Sequence, residues 1–338
     1  MTALEKVRNS SFQAKLIGAF AAVYIVWGST YLAIRLVMES LPAFLAVGLR
    51  FFLAGILMIG WGLATGAQRP RLAQVGRAVL VGLMLLFIGT GGVVWAAFHL
   101  HSGLLALLVA VEPLWLTLLL WAWPGGHRPS LLHGVAILIG FAGAAVLAAP
   151  GAMLDGSAIH LPSVLVLTIG CLSWAAGSLL GRGEGMPLAP SWSSGLQMVG
   201  GGAALVIYGL ARGEWASFRP ENATLVSIGA FLYMIVFGSL LAFSAYTWLM
   251  RNVDPAMVAT HTFVNPVVAV FLGWLIRDEP VGSRTLIAAA LIIVSVVLTT
   301  LAEHRRKKAL ERLKAAPATR EESDTEVPML AEVRPSEA

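Results

Sequence analysis

The sequence predicts an all-α integral membrane protein whose ten transmembrane helices form two inverted five-helix repeats. Three observations carry that expectation. The 338 residues are 58% hydrophobic and only 12% charged, with a mean hydropathy of +0.80, whereas an ordinary soluble domain is about 25% charged. Apolar runs of roughly the 20 residues needed to cross about 30 Å of hydrocarbon recur from Leu16 to Leu301. Finally, the two halves repeat residues in the same order.

Charged or Pro/Gly-rich breaks divide the apolar runs into spans at 16–38, 42–64, 77–99, 102–123, 131–149, 160–181, 190–211, 224–249, 255–276 and 282–301. The first fifteen residues mix both charges with polar side chains, and a full-length apolar run follows without a small-residue cleavage site, which predicts a retained first helix. The single cysteine, Cys171, falls inside a span and reads as core packing, because one thiol builds neither a disulfide framework nor a thiolate metal site. No cofactor and no metal are expected.

Orientation follows from lysine and arginine, which are retained on the cytoplasmic side. Lys6, Arg8 and Lys15 precede the first span, Arg69, Arg71 and Arg77 lie at the second connection, and Arg128, Arg182 and Arg251 at the fourth, sixth and eighth. Arg305, Arg306, Lys307, Lys308, Arg312 and Lys314 follow the last span, while the opposite face holds only Arg35, Arg212, Arg219, Arg277 and Arg284. Both termini are therefore expected in the cytoplasm, which requires an even number of spans. The net charge of +5 is an orientation signal and a basic segment facing anionic membrane lipid, so no nucleic-acid partner is implied. Residues 303–338 read as a basic and then disordered cytoplasmic tail, since the acids, Pro, Ala and Ser of its end bury too little apolar surface to order it.

Shifting the chain by 153 residues lays Val264-Asn265-Pro266 on Val111-Glu112-Pro113, Trp248 on Trp95 and Ala259 on Ala106. A shift of 147 lays Trp174 on Trp27, Arg182 on Arg35 and the "GLQ" of 195–197 on the "GLR" of 48–50. Two homologous halves follow, 16–149 and 160–301. Five spans per half is odd, so the second half must cross the membrane upside down. Inverted halves place a site at their interface near the midplane that opens to either side in turn, which is transporter architecture.

The stretches "VYIVWGSTYLAIRLVMESLPAFLAVGLRFFLAG" (Val23 to Gly55) and "LMRNVDPAMVATHTFVNPVVAVFLGWLIRDEP" (Leu249 to Pro280) resemble the paired EamA-type domains of ten-helix exporters in the drug/metabolite transporter superfamily. The resemblance spans about 16–301. It implies secondary efflux of amino acids, related metabolites or drugs across the bacterial cytoplasmic (inner) membrane through a central cavity. The acidic signature that such domains carry after the ninth span survives as Arg277-Asp278-Glu279, while its counterpart after the fourth is reduced to "PGGHRPS" (Pro124 to Ser130). Whether transport is proton-coupled or facilitated, and whether the chain works as monomer or homodimer, stay open.

Ionisable side chains at membrane depth are costly and mark functional candidates. Glu112 lies about ten residues, roughly 15 Å, into its span. It reads as a proton acceptor or a site for a cationic group, or else as a neutral acid bonded to a carbonyl freed by Pro113, whose ring removes a backbone donor. Arg50, about eight residues into the second span, could neutralise Glu112, hold a substrate carboxylate, or brace helix packing. His261 shares a helix face with Asn265 at i, i+4 spacing and titrates in the physiological range, though it could equally be packed against another helix. Trp27, Trp95, Trp174 and Trp248 form two repeated pairs and are candidates to line a central cavity, where aromatic faces take apolar bodies and shelter a cation. Ser29, Thr30, Ser173, Ser178 and Ser244 add hydroxyls that could equally be packing glue. Pro113 and Pro266 mark matched helix breaks suited to gating. The rival class, a membrane-embedded enzyme acting on a lipid or small solute, needs clustered metal ligands or an activated nucleophile, and the sequence supplies neither pattern.

Overall fold

In a computed structural model, which describes residues 3–99, 108–109, 112–123, 128–148, 160–187, 189–277 and 283–315, the described residues are helical and without strands. The long helices are α1 (Ser11–Met38), α2 (Ala43–Ala64), α3 (Leu72–Ala97), α4 (Glu112–Ala122), α5 (Leu131–Ala148), α6 (Leu161–Leu180), α7 (Pro190–Ala211), α8 (Leu225–Asn252), α9 (His261–Arg277) and α10 (Ser283–Ala315). A single turn, Pro255–Ala259, leads into α9, and Glu214–Ser217 forms a short helix between α7 and α8. Six of these (α1, α2, α3, α6, α7 and α8) are long and apolar enough to cross a membrane by length and composition, and Leu131–Gly143 is a shorter apolar helix. The expected tail beyond 315 and the start of the fourth span lie outside the described residues.

Large apolar side chains such as Leu138, Leu165, Ile207 and Ile293 face outward, while Ser163, Ser194, Ser227, Ser239 and Ser295 are buried. That distribution suits a lipid solvent, in which burying Leu against Leu gains little and helices associate through small and hydroxylic residues. Local chemistry sets the ends of the helices. Pro190 and Pro255 occupy first helical positions, where the missing N–H has no partner to lose. The Thr224 hydroxyl and the Asp254 carboxylate accept from Ser227 N and Ala256 N. Gly66 (φ 68°) and Gly213 (φ 76°) stop α2 and α7 in the left-handed region that side chains avoid. These two glycines are themselves 147 residues apart.

α2 and α7 cross in close contact. A Cβ on Gly202 would stand 2.5 Å from Phe52 N and 2.8 Å from Gly48 O, and one on Gly55 would stand 2.7 Å from Gly195 O. Only hydrogen fits at these positions. Gly48 thus meets Gly202 and Gly55 meets Gly195, so the two helices run antiparallel. Under the shift of 147, Gly48 corresponds to Gly195 and Gly55 to Gly202, so each glycine meets the counterpart of the other.

The remaining packing exchanges in the same manner. α1 packs on α8 and α6 on α3; α3 packs on α7 and α8 on α2; α4 packs on α6 and α9 on α1; α5 packs on α10. Two π-helical segments, Leu83–Thr90 in α3 and Met234–Phe243 in α8, overlap under the shift of 153. A third, Ala22–Val26, lies in α1. A π turn rotates the following residues relative to those before it and is frequent at functional sites.

Connections expected on one side of the membrane meet one another. Trp192 Nε1 donates to Ala67 O (3.4 Å), Gln74 Nε2 to Met186 O (3.3 Å) and Arg306 to Asp254 (2.8 Å). At the other end Thr224 N donates to Ser40 Oγ (3.2 Å), and the Glu214 carboxylate accepts from Phe44 N (3.2 Å) and Leu45 N (2.9 Å). Glu214 thereby caps the start of α2, whose own N-cap, Pro42, has no side-chain acceptor.

Candidate functional site

The π segment of α1 ends at Val26, and the next residue, Trp27, turns its ring into the middle of the molecule. There it meets Trp174 of α6 (ring centroids 5.9 Å apart, planes at 76°), Tyr246 of α8 (5.1 Å) and His261 of α9 (5.1 Å, 62°). Trp174 and His261 both contact Tyr246, at 5.7 and 5.6 Å. Two rings equated by the repeat thus touch each other across the halves.

Hydrogen bonds fix the rings in place. Trp27 Nε1 donates to Gly238 O (3.1 Å), within the π segment of α8. Trp174 Nε1 donates to the Tyr246 hydroxyl (2.9 Å), which also shares a proton with Ser178 Oγ (2.6 Å). His261 Nδ1 pairs with Val258 O (2.9 Å). The Asn265 amide, with its nitrogen facing two carbonyls, donates to the backbone oxygens of Tyr24 (3.2 Å) and His261 (3.1 Å), and so ties α9 to α1. Beside it the Tyr24 hydroxyl pairs with Thr260 Oγ1 at 2.6 Å.

Glu112 opens the described stretch of α4 and is buried, with Oε2 lacking any hydrogen-bond partner. Its carboxyl lies within electrostatic reach of the Tyr246 hydroxyl and the Cys171 thiol. Cys171 donates to Leu108 O (3.8 Å), and Thr117 Oγ1 to Pro113 O (2.8 Å). A buried carboxyl oxygen without a hydrogen-bond partner is expensive, which marks Glu112 as a functional candidate.

Arg50 is buried among α2 and α8 rather than beside Glu112. Its Nη1 donates to Met234 Sδ (3.0 Å), its guanidinium sits 4.2 Å from the Phe51 ring centroid, and its Nε is unpartnered. Phe51 packs on Phe243, and Phe243 on Tyr246, so Arg50 reaches the cluster through two rings. Gln197, its counterpart under the repeat, also keeps one buried unpartnered atom, Oε1.

The other sequence candidates disperse. Ser29 bonds Val26 O and the Tyr233 hydroxyl, and Thr30 bonds Trp27 O, so both brace α1 next to the cluster. Ser173 and Ser244 donate to Met84 O and Met58 Sδ. Trp95 stacks with His99 (4.7 Å) near His160, and Trp248 packs on Phe12 under Lys15 Nζ (4.7 Å); neither belongs to the central rings. Pro113 and Pro266 are both buried within or at the start of helices. Tyr246 is the central residue that sequence reasoning misses. It carries no charge and has Val93 as its repeat partner, so nothing in the sequence singles it out.

A separate shallow cleft lies at the end where α4, α5 and α10 meet, lined by Thr117, Ser130, His133, Asp254 and Arg306. Arg182, in the turn after α6, is pushed down from its ordinary value by burial, while Asp254 raises it and Arg306 lowers it further. Asp254 pairs with Arg306 (2.8 Å) there. Among the described residues no group of three or more His, Cys, Asp or Glu side chains is arranged to hold a metal ion.

Residues 14–149 and 161–301 match the EamA-like transporter family. The chain is 37% identical over 290 residues to the uncharacterized inner membrane transporter YedA of Escherichia coli (strain K12), covering 86% of this chain and 92% of that protein. It is 26% identical to the uncharacterized transporter YvbV of Bacillus subtilis (strain 168), covering 91% and 97%. A crystal structure at 20% identity superposes with a TM-score of 0.72 over 87% of this chain and 98% of the other, which shows a shared fold.

Proposed function

This chain belongs to the EamA-like transporter family, and from that premise we propose that it is a secondary exporter of small metabolites, working by alternating access in the bacterial inner membrane. Its ten spans form two inverted repeats, 16–149 and 160–301, with both termini in the cytoplasm. The observation that carries the reading is the exchange of partners at the α2–α7 crossing, where Gly48 meets Gly202 and Gly55 meets Gly195. A pseudo-two-fold axis in the membrane plane requires such swapped contacts, as any two-fold interface does. The contact between Trp27 and Trp174, residues equated by the repeat, supports the same reading. The matched π segments of α3 and α8 and the prolines of α4 and α9 provide pliable points on which one half rocks against the other.

In this reading the rings of Trp27, Trp174, Tyr246 and His261 form a closed barrier at the substrate site, and Glu112 and His261 exchange a proton or contact the substrate. Asn265, Ser29, Thr30 and Ser178 hold the barrier in place, while Arg50 braces α2 against α8. Transport into proteoliposomes, measured across a metabolite panel with and without a pH gradient, tests it. Saturable flux that is accelerated by substrate on the far side supports the carrier; conversion of a solute, or no flux above empty liposomes, refutes it. Glu112→Gln retaining the full response to a pH gradient would remove Glu112 from proton coupling.

A further inference from the structure

We infer that the central site takes an organic cation, an ammonium on an apolar body, with the charge beside Glu112 and the body among Trp27, Trp174, Tyr246 and His261. The inference rests on the transporter reading and supplies the substrate class that it lacks. It follows from asking which polar groups around the cluster are still free to bond. Both indole N–H groups are engaged, one by Gly238 O and one by the Tyr246 hydroxyl. The Tyr246 hydroxyl is saturated by Trp174 and Ser178, and Ser178 also bonds Trp174 O. His261 Nδ1 faces a carbonyl, which can only accept, so the neutral ring carries its proton there and presents a lone pair at Nε2. Ser29 and Thr30 are engaged by backbone carbonyls of their own helix.

What remains is uniformly electron-rich: aromatic faces, an imidazole lone pair and the unpartnered Glu112 Oε2. Aromatic faces attract cations within about 6 Å of the ring centroid, and Trp27 and Tyr246 each contact the other rings of the cluster at 5.1 to 5.9 Å, so a cation that parts them meets several faces at once. An ammonium would find a carboxyl oxygen and several ring faces. A carboxylate would find no donor among these groups; the Arg50 guanidinium, whose Nε is unpartnered, is separated from the cluster by the Phe51 and Phe243 rings. An amino acid is therefore a poorer fit than the amine or amide derived from it.

Four compounds with one aromatic body separate the possibilities: phenethylamine, phenylalaninamide, phenylalanine and 3-phenylpropionate. Binding is read from tryptophan fluorescence of the purified protein, and transport from charge movement across protein-containing liposomes. Phenethylamine and phenylalaninamide should bind about tenfold or more tighter than phenylalanine, with 3-phenylpropionate weaker still. Glu112→Gln should abolish the preference while leaving the protein monodisperse. Trp27→Leu, which keeps an apolar side chain and removes a ring face, should weaken the amines several-fold, and Trp27→Phe should restore most of that loss. Equal or tighter binding of phenylalanine or 3-phenylpropionate, or amine binding untouched by Glu112→Gln, overturns the inference even if transport proceeds. Selective amine binding without flux above empty liposomes would instead refute the transporter reading and leave the site's chemistry standing.

Discussion

Replacing Gly202 with alanine isolates the energetic consequence of the α2–α7 crossing. The new Cβ would lie 2.5 Å from Phe52 N and 2.8 Å from Gly48 O, against the 3.4–4 Å of ordinary contact, so the helices must separate by about 1 Å. Both neighbours are backbone atoms, which no rotamer change can move aside. Overpacking of that kind costs about 1–3 kcal/mol. Gly60, on the outward face of α2, has nothing within 4 Å of its virtual Cβ. Gly60→Ala should be neutral or stabilising by up to about 0.5–1 kcal/mol through helix propensity. The two variants should therefore differ by roughly 1–4 kcal/mol, with Gly202→Ala the less stable. The buried thiol of the single cysteine, Cys171, is a convenient probe, since a thiol-reactive dye reports it only as the fold opens. Gly202→Ala melting at or above Gly60→Ala in the same detergent would refute the close crossing.

Further predictions follow from particular contacts. Glu214→Ala removes the carboxylate that caps α2 and should cost about 1–2 kcal/mol of thermal stability, with Glu214→Gln recovering part of it. Asp254→Ala removes both a helix cap and the Arg306 partner; since that pair is partly exposed the loss should be about 1 kcal/mol, and Asp254→Asn should restore most of it in a melting comparison. Gly213→Ala forces a side chain into the left-handed region and should cost about 1 kcal/mol by the same assay. Trp174→Phe should retain transport better than Trp174→Ala in an uptake assay, because the ring contact survives while the bond to Tyr246 is lost.

Much of the fold is legible in the sequence because lipid imposes simple demands. Length and apolarity mark the spans, and the shift of 147 already lays Gly195 on Gly48. That these glycines contact each other's counterparts is not legible, since in lipid no apolar stripe distinguishes the packed face of a helix. The π segments are equally silent, because they arise from how α3 and α8 accommodate neighbours rather than from a residue signature. At the site, Glu112 and His261 stand out by charge and Trp27 and Trp174 by repetition. Tyr246 has neither mark, and its role comes from where the π segment of α8 aims it. Trp95 and Trp248 repeat just as Trp27 and Trp174 do, yet they lie toward helix ends, away from the rings. Repetition identifies equivalent places in the two halves without saying whether those places are central.

The inversion of the halves is tested most directly by labelling equivalent positions with a membrane-impermeant thiol reagent in intact cells. Gln68 and Trp215 are both exposed and are related by the shift of 147. Single cysteines there, in a Cys171→Ala background, should react from opposite sides: Trp215→Cys from outside, and Gln68→Cys only after the membrane is permeabilised. Labelling of both from the same side would contradict the inverted repeat and the alternating access built on it.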